Sequence, residues 1–200
     1  TMLCTHLYTR LLTFRRNTEK QLRYDTQHDR LTGVRSLSRF ERDFTLYSHI
    51  SQEQTNTTNC YLAMIDIDHF KQINDTYGHL VGNDVLVQFA SSFDHYLDTL
   101  SVPCGLYRTG GEEFSLIIAG DVDEVSAYSV LKNYYNLLKT LTIKSEQHRI
   151  NISISAGITQ VIMPDNCTET TISRADQLLY QAKRTGKDKI VSDFSSDVLS

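Results

Sequence analysis

Two pairs of acids stand where folding alone gives them no task. Asp66 and Asp68 close the apolar run CYLAMIDID (60–68), and Glu112 and Glu113 follow two glycines in LYRTGGEEFSLII (106–118). A continuous apolar run that ends in acids reads as a buried strand opening into a site. Residues two apart on a strand point the same way, so Asp66 and Asp68 share a face if the strand runs through them. Gly110 and Gly111 read as the positive-φ positions of a two-residue hairpin loop, with the glutamates at its tip. If both strand ends meet at one sheet edge, several carboxylates crowd together and their repulsion calls for cations. Magnesium between carboxylates and phosphates supplies that relief, and such sites align an attacking hydroxyl with phosphorus while steadying the entering and leaving oxygens. The chemistry indicated is phosphoryl or nucleotidyl transfer. A tight turn with solvated acids is the competing reading.

The elements that would position these acids follow from hydrophobic periodicity. Leu37, Phe40, Phe44 and Tyr47 mark one face of a helix, and SQEQTNTTN (51–59) reads as a polar loop before the strand. Val85, Leu86, Phe89, Ala90, Phe93 and Leu97 form the apolar side of an amphipathic helix. The hairpin comes next, and then a helical pattern through Val125, Leu131, Tyr134, Leu138 and Leu141. RINISISAGIT (149–159) alternates as one strand, with Ile150, Ile152, Ile154, Ala156 and Ile158 on one face. Ile172, Ala175, Leu178, Leu179 and Ala182 give a last helix, which Gly186 ends in a left-handed cap position, and KIVSDF reads as an edge strand. This order predicts an α+β fold on a mixed, mostly antiparallel sheet flanked by helices, rather than a doubly wound parallel sheet or an all-β barrel.

The 200 residues, 40% hydrophobic, suffice for one globular domain with a core plus an accessory segment. A net charge of -4 provides no basic field for extended nucleic acid, while local lysines remain available to a small phosphate ligand. Cysteines at 4, 60, 104 and 167 lack the close spacing of zinc sites or disulfide frameworks and read as reduced thiols of a cytoplasmic domain. No run approaches the roughly 20 apolar residues that span a bilayer. Leu3, Leu7, Leu11 and Phe14 read as a leading helix over residues 1–27 that pairs with its twin; the competing reading is the cytoplasmic end of a membrane or sensor segment. The expected divisions are 1–27 as signalling or dimerisation helix, 28–193 as catalytic domain and 194–200 as tail. A sensor upstream, with membrane anchoring of the longer protein, is part of that expectation.

HDRLTG (28–33), DIDHFKQINDTYGHLVGND (66–84), RTGGEEF (108–114), SISAGIT (153–159) and ADQLLYQAKRTGKD (175–188) together resemble a GGDEF domain, the diguanylate cyclase family, in order and spacing over roughly residues 28–191. The resemblance implies a central antiparallel sheet related to adenylyl cyclase catalytic domains. It also implies condensation of two GTP into cyclic di-GMP with release of two pyrophosphates, in a homodimer whose subunits each hold one nucleotide. By position, it makes Asp66, the carbonyl of Ile67, and Glu112 the holders of Mg2+, with Mn2+ as an alternative ion. Glu112 is also the implied base, with Glu113 in support and Asp68 a further acid. Lys71, Lys183 and Lys187 would meet the triphosphate, a role suited to mobile positive charge. Amides of Phe70 to Ile73 would face phosphate at a helix start. Asn74 would contact guanine, with His79 near the nucleotide; Arg108 is open between a phosphate and a partner subunit.

The chain departs from the family pattern in four places. GHLVGN puts Asn83 where the family has an aspartate that accepts hydrogen bonds from guanine. An amide both donates and accepts, so Asn83 also suits adenine, and mixed cyclic AMP-GMP from GTP and ATP becomes an alternative product. The inhibitory RxxD motif would fall at Ser101 to Cys104, and neither end matches, so no product inhibition through that primary site is expected. LTGVRSL and TGKD replace the commoner LTGLxNR and GRN, and Lys187 keeps a charge without an arginine's fork. A GTP-binding signalling domain without turnover and an assembly module driven by residues 1–27 are the non-enzymatic readings.

Overall fold

A computed structural model of the chain describes residues 26–52, 58–162 and 168–195. Nearly all of the leading segment and the last five residues, 196–200, lie outside these, and with them the expected dimerisation helix and most of the tail. The elements are β1 (Arg35–Ser36), α1 (Leu37–Gln52), β2 (Asn59–Ile67), α2 (Phe70–Tyr77), α3 (His79–Asp98), β3 (Cys104–Arg108), β4 (Glu113–Gly120), α4 (Glu124–Leu138), β5 (Ile143–Ser145), β6 (His148–Ile150), β7 (Ile154–Gln160), α5 (Thr168–Arg184) and β8 (Lys189–Ser192). Six strands form one mixed sheet in the order β1-β3-β4-β2-β7-β8; its inner pairings are antiparallel, and the edges β1 and β8 run parallel to their neighbours. The fold is α+β, as the periodicities predict.

The alternation of β2 decides which layer each residue serves. Tyr61, Ala63, Ile65 and Ile67 face a core completed by α3 and α4 residues such as Phe89, Phe93 and Tyr134. Cys60 and Leu62 face the opposite core with Phe40 and Phe44 of α1 and Ala175 of α5. Asp66 has the parity of Leu62 and therefore emerges on the α5 side. α5 can approach because β7 has no side chain where they cross: a Cβ on Gly157 would lie 2.3 Å from the Leu179 nitrogen and 2.4 Å from the Ala175 oxygen.

Two sequence expectations need correction. Residues 149–159 are two strands: β6 pairs with β5 in a separate two-stranded sheet, residues 151–153 leave the ladder, and β7 then joins β2. The isoleucines still line one core, which is why the alternation passes through the break unmarked. The helix start at Phe70 and the amphipathic helix through Leu97 belong to two helices, divided at Gly78 with φ 89°. The hairpin tip is no two-residue turn. Residues 109–112 separate β3 from β4, and neither Gly110 nor Gly111 is among the glycines with positive φ. Among the described residues, no helix is long and apolar enough to cross a membrane.

Candidate active site

The end of β2 and the start of β4 meet as the acid pattern anticipates. Asp66 lies opposite Glu113 in the antiparallel register, and the Ile67 amide donates to the Glu112 carbonyl at 3.3 Å. Asp66 is buried at 8% exposure, and Lys183 of α5 donates to its Oδ2 at 2.7 Å. Burial raises the Asp66 carboxyl above the usual carboxylate range; Lys183 opposes the rise, and the charges of Glu112 and Asp68 add to it. Cross-strand register and helix packing thus gather Asp66, Glu112, Glu113 and Lys183 from three elements.

Asp68 has a different occupation. β2 ends at Ile67, so Asp68 is in the turn beyond it, yet its carboxylate also comes to the α5 side. Oδ1 accepts from Ser155 Oγ at 2.7 Å, while Oδ2 accepts from Ser153 Oγ at 2.8 Å and from the Asp188 amide at 3.0 Å. At 4% exposure it is a buried acid satisfied by protein donors, which suits an organiser of the strand end better than a metal ligand. Lys187, half-buried, immediately precedes Asp188.

Arg108, whose role the sequence leaves open, braces the hairpin tip. Its Nε and one terminal nitrogen donate to the Gly111 carbonyl at 3.1 and 2.8 Å, and the other terminal nitrogen donates to Asp29 Oδ1 at 2.9 Å. Asp29 also accepts from the Thr32 amide and hydroxyl, which ties the HDRLTG turn to the tip. The glycines serve close approach: Glu113 Oε2 lies 2.5 Å from where a Cβ on Gly110 would stand, whereas a Cβ on Gly111 would meet nothing within 4 Å.

The residues assigned to the base end lie on α2 and α3. His69, at φ 59°, precedes α2 without a side-chain cap, so the first-turn amides of Phe70, Lys71 and Gln72 have no acceptor within the helix. Phe70 and Ile73 are buried in the core beneath. Asn74 is half-buried, and its Oδ1 lies 1.9 Å from where a Cβ on Gly82 would stand, so Gly82 leaves the space that side chain fills. His79 and Asn83 are exposed on the first turns of α3. Asp84 faces elsewhere and accepts from Ser145 Oγ at 2.5 Å. Lys71 is exposed and pairs with Asp75 at 3.5 Å. Ser101 is exposed and Cys104 half-buried at the far end of β3.

A divalent cation fits the acid end in a limited way. Among the described residues, no three His, Cys, Asp or Glu side chains are grouped to cage a metal by themselves. Magnesium, however, is usually held by one or two carboxylates completed by substrate phosphates and water. Asp66 and Glu112 are hard oxygen donors of that kind, and the Lys183 ammonium on Asp66 occupies the place of a counter-cation.

The family model for the diguanylate cyclase GGDEF domain matches residues 26–189. The diguanylate cyclase DgcZ of Escherichia coli K12 is 34% identical over 131 residues, covering 66% of this chain and 43% of that protein. The diguanylate cyclase VdcA of Vibrio cholerae is 33% identical over 171 residues, covering 84% and 47%. The chain thus spans about half the length of these relatives. Among solved structures, the coiled coil and GGDEF domain of DgcB from Caulobacter crescentus with c-di-GMP aligns at TM-score 0.82 and 25% identity, over 96% of this chain and 100% of that one. SiaD of Pseudomonas aeruginosa, solved with its activator SiaC, aligns at TM-score 0.77 and 29% identity, over 94% and 70%. With this sheet, this hairpin and these acids, the chain belongs to the GGDEF family, the diguanylate cyclases.

Proposed function

We propose that the chain joins two GTP molecules into cyclic di-GMP, with a divalent metal, as a homodimer that brings two nucleotides face to face. The observation that carries this reading is the meeting of Asp66, Glu112 and Lys183 at the end of β2. Asp66, the Ile67 carbonyl and Glu112 would hold the metal, Mg2+ or Mn2+, which when bound supplies a Lewis acid for the phosphate oxygens. Glu112, on the half-buried tip, takes the proton of the 3'-hydroxyl as its oxygen bonds to the α-phosphorus of the opposing nucleotide. The bond from that phosphorus to the bridging oxygen breaks and pyrophosphate leaves; a second such transfer closes the ring. Glu113 supports the tip. Lys183 and Lys187 neutralise the triphosphate, with Lys71 reaching in from the exposed face of α2, and the first-turn amides of α2 add donors. Asn74 and Asn83 read the purine edge, with His79 beside them.

The test is incubation of the purified chain with Mg2+ and GTP, with products identified by mass. Cyclic di-GMP from the wild type, and a loss of about 10³-fold in Glu112→Gln, is the expected result for removal of a base and ligand of unchanged size. No product from a dimeric wild type would leave a nucleotide-binding signalling domain, and undiminished turnover in Glu112→Gln would remove Glu112 from both roles.

A second reading concerns the purine. Asp84 is engaged by Ser145, so it does not stand in for the aspartate absent at Asn83. An exposed amide there accepts either purine edge, which favours a cyclase that also uses ATP and makes cyclic AMP-GMP.

A further inference from the structure

Three consecutive residues between α5 and β8 take left-handed backbone: Gly186 at φ 112°, Lys187 at 61° and Asp188 at 46°. Glycine adopts this freely and aspartate on occasion, but lysine does so where surrounding contacts impose it, and such enforced turns concentrate at functional sites. The imposing contacts are plain. The Lys187 amide donates to the Ala182 carbonyl at 3.0 Å, and the Asp188 amide donates to Asp68 Oδ2 at 3.0 Å. From α4, the Tyr135 hydroxyl donates to the Asp188 carbonyl at 2.7 Å, and Lys139 Nζ pairs with the Asp188 carboxylate at 3.4 Å. Asp68 is itself fixed by Ser153 and Ser155. One helical turn earlier, Lys183 reaches Asp66, so the same stretch carries Lys183 to the strand end that holds the acids and sets the Lys187 backbone next to the residue that Asp68 binds.

We propose that Asp68 is a positioning residue for the nucleotide's phosphates, setting Lys187 through the Asp188 amide, with Tyr135 on α4 as the second anchor of the same turn. In this role Asp68 acts through the backbone rather than on nucleotide or metal, since three protein donors already occupy its carboxylate. This rests on the reading of the site as a GTP site and adds to it a control point on α4, remote from the reacting atoms. The Lys187 amine, lacking an arginine's fork, has one rigid element to aim it, which is the turn.

The test compares binding of 3'-deoxy-GTP, which lacks the attacking hydroxyl, with binding of 3'-deoxyguanosine, in Mg2+, by calorimetry on the full chain. Asp68→Asn, which turns one accepting oxygen into a donor, is expected to weaken the triphosphate about tenfold and leave the nucleoside unchanged. Tyr135→Phe, which removes only a hydroxyl, is expected to do the same by about threefold. It also carries the test should Asp68→Asn fail to fold. Lys187→Met should show the full loss, and adding Tyr135→Phe to it should cost nothing further. Equal weakening of triphosphate and nucleoside, unchanged triphosphate binding in Tyr135→Phe, or an additive loss in the double variant would overturn the inference. So would a raised Mg2+ requirement confined to Asp68→Asn, the mark of a metal ligand. A wild type that binds neither ligand refutes the nucleotide reading itself; a wild type that prefers the triphosphate, with variants that keep the preference, refutes only the role of the turn.

Discussion

The acid end and the base end of the site are built differently. At the acid end Asp66 is held by sheet register and Lys183, the backbone of the tip by Arg108, which Asp29 holds in turn, and Asp68 by two serines and an amide. At the base end His79 and Asn83 are exposed on the opening turns of α3, and Asn74 fills a space left by a glycine. Chemistry shared by every nucleotide needs fixed charges, which reorganise little when the reaction occurs. Selection of a base needs only the right donors and acceptors along one edge, and substitution there leaves the sheet untouched. On the proposed function, the difference places the choice of purine on residues whose substitution leaves the acid end as it is.

Breaking the acid end should cost both fold and function. Gly157→Ala puts a methyl group against the backbone of Leu179 and Ala175, which cannot rotate aside, so α5 must lift from β7 and carry Lys183 with it. Denaturant unfolding should show a loss of about 2 kcal/mol or more, together with lost turnover. Gly82→Ala probes the base end, where the new methyl group touches Phe70 Cζ at 3.4 Å and collides with the Asn74 side chain. That side chain can move, so GTP binding should weaken about tenfold while the unfolding midpoint stays near that of the wild type. A midpoint drop as large as that of Gly157→Ala would erase the contrast.

The smallest of these effects concerns the brace behind the tip. Burial alone would raise the Asp29 carboxyl, but hydrogen bonds from Thr32 and Arg108 outweigh it and hold the group below its ordinary value of 3.8. The folded state therefore binds the proton less readily than the unfolded one. The resulting stability is present above the unfolded value and fades as pH falls through the lower folded value. Asp29→Asn should be less stable than the wild type at neutral pH, and the gap should narrow when denaturation is repeated at successively lower pH below 3.8. A gap unchanged by acid would mean that the brace acts through shape alone.

The parts legible in the sequence are those governed by local period. Phe89 and Phe93, Leu131 and Tyr134, and Ala175 and Leu179 marked their helices, and the acids after the apolar run marked the end of β2. What escaped depended on partners far along the chain. Arg108 finds Asp29 79 residues away, and Asp68 finds the Asp188 amide 120 residues away; no spacing rule anticipates either. The tip glycines were misread because a Gly-Gly pair before a strand signals a left-handed turn, whereas Gly110 is needed for the approach of the Glu113 carboxylate. The short β5–β6 pair was hidden by an alternation that continues unbroken into β7.

The contrast between the two ends is tested most directly by the products that wild type and Asn83→Asp make from equal GTP and ATP with Mg2+, resolved by mass. Both proteins should cyclise dinucleotides at similar total rates. The wild type should yield cyclic AMP-GMP beside cyclic di-GMP, and Asn83→Asp should yield cyclic di-GMP almost alone. Identical product ratios in the two proteins, or no cyclic dinucleotide from either, would contradict the account.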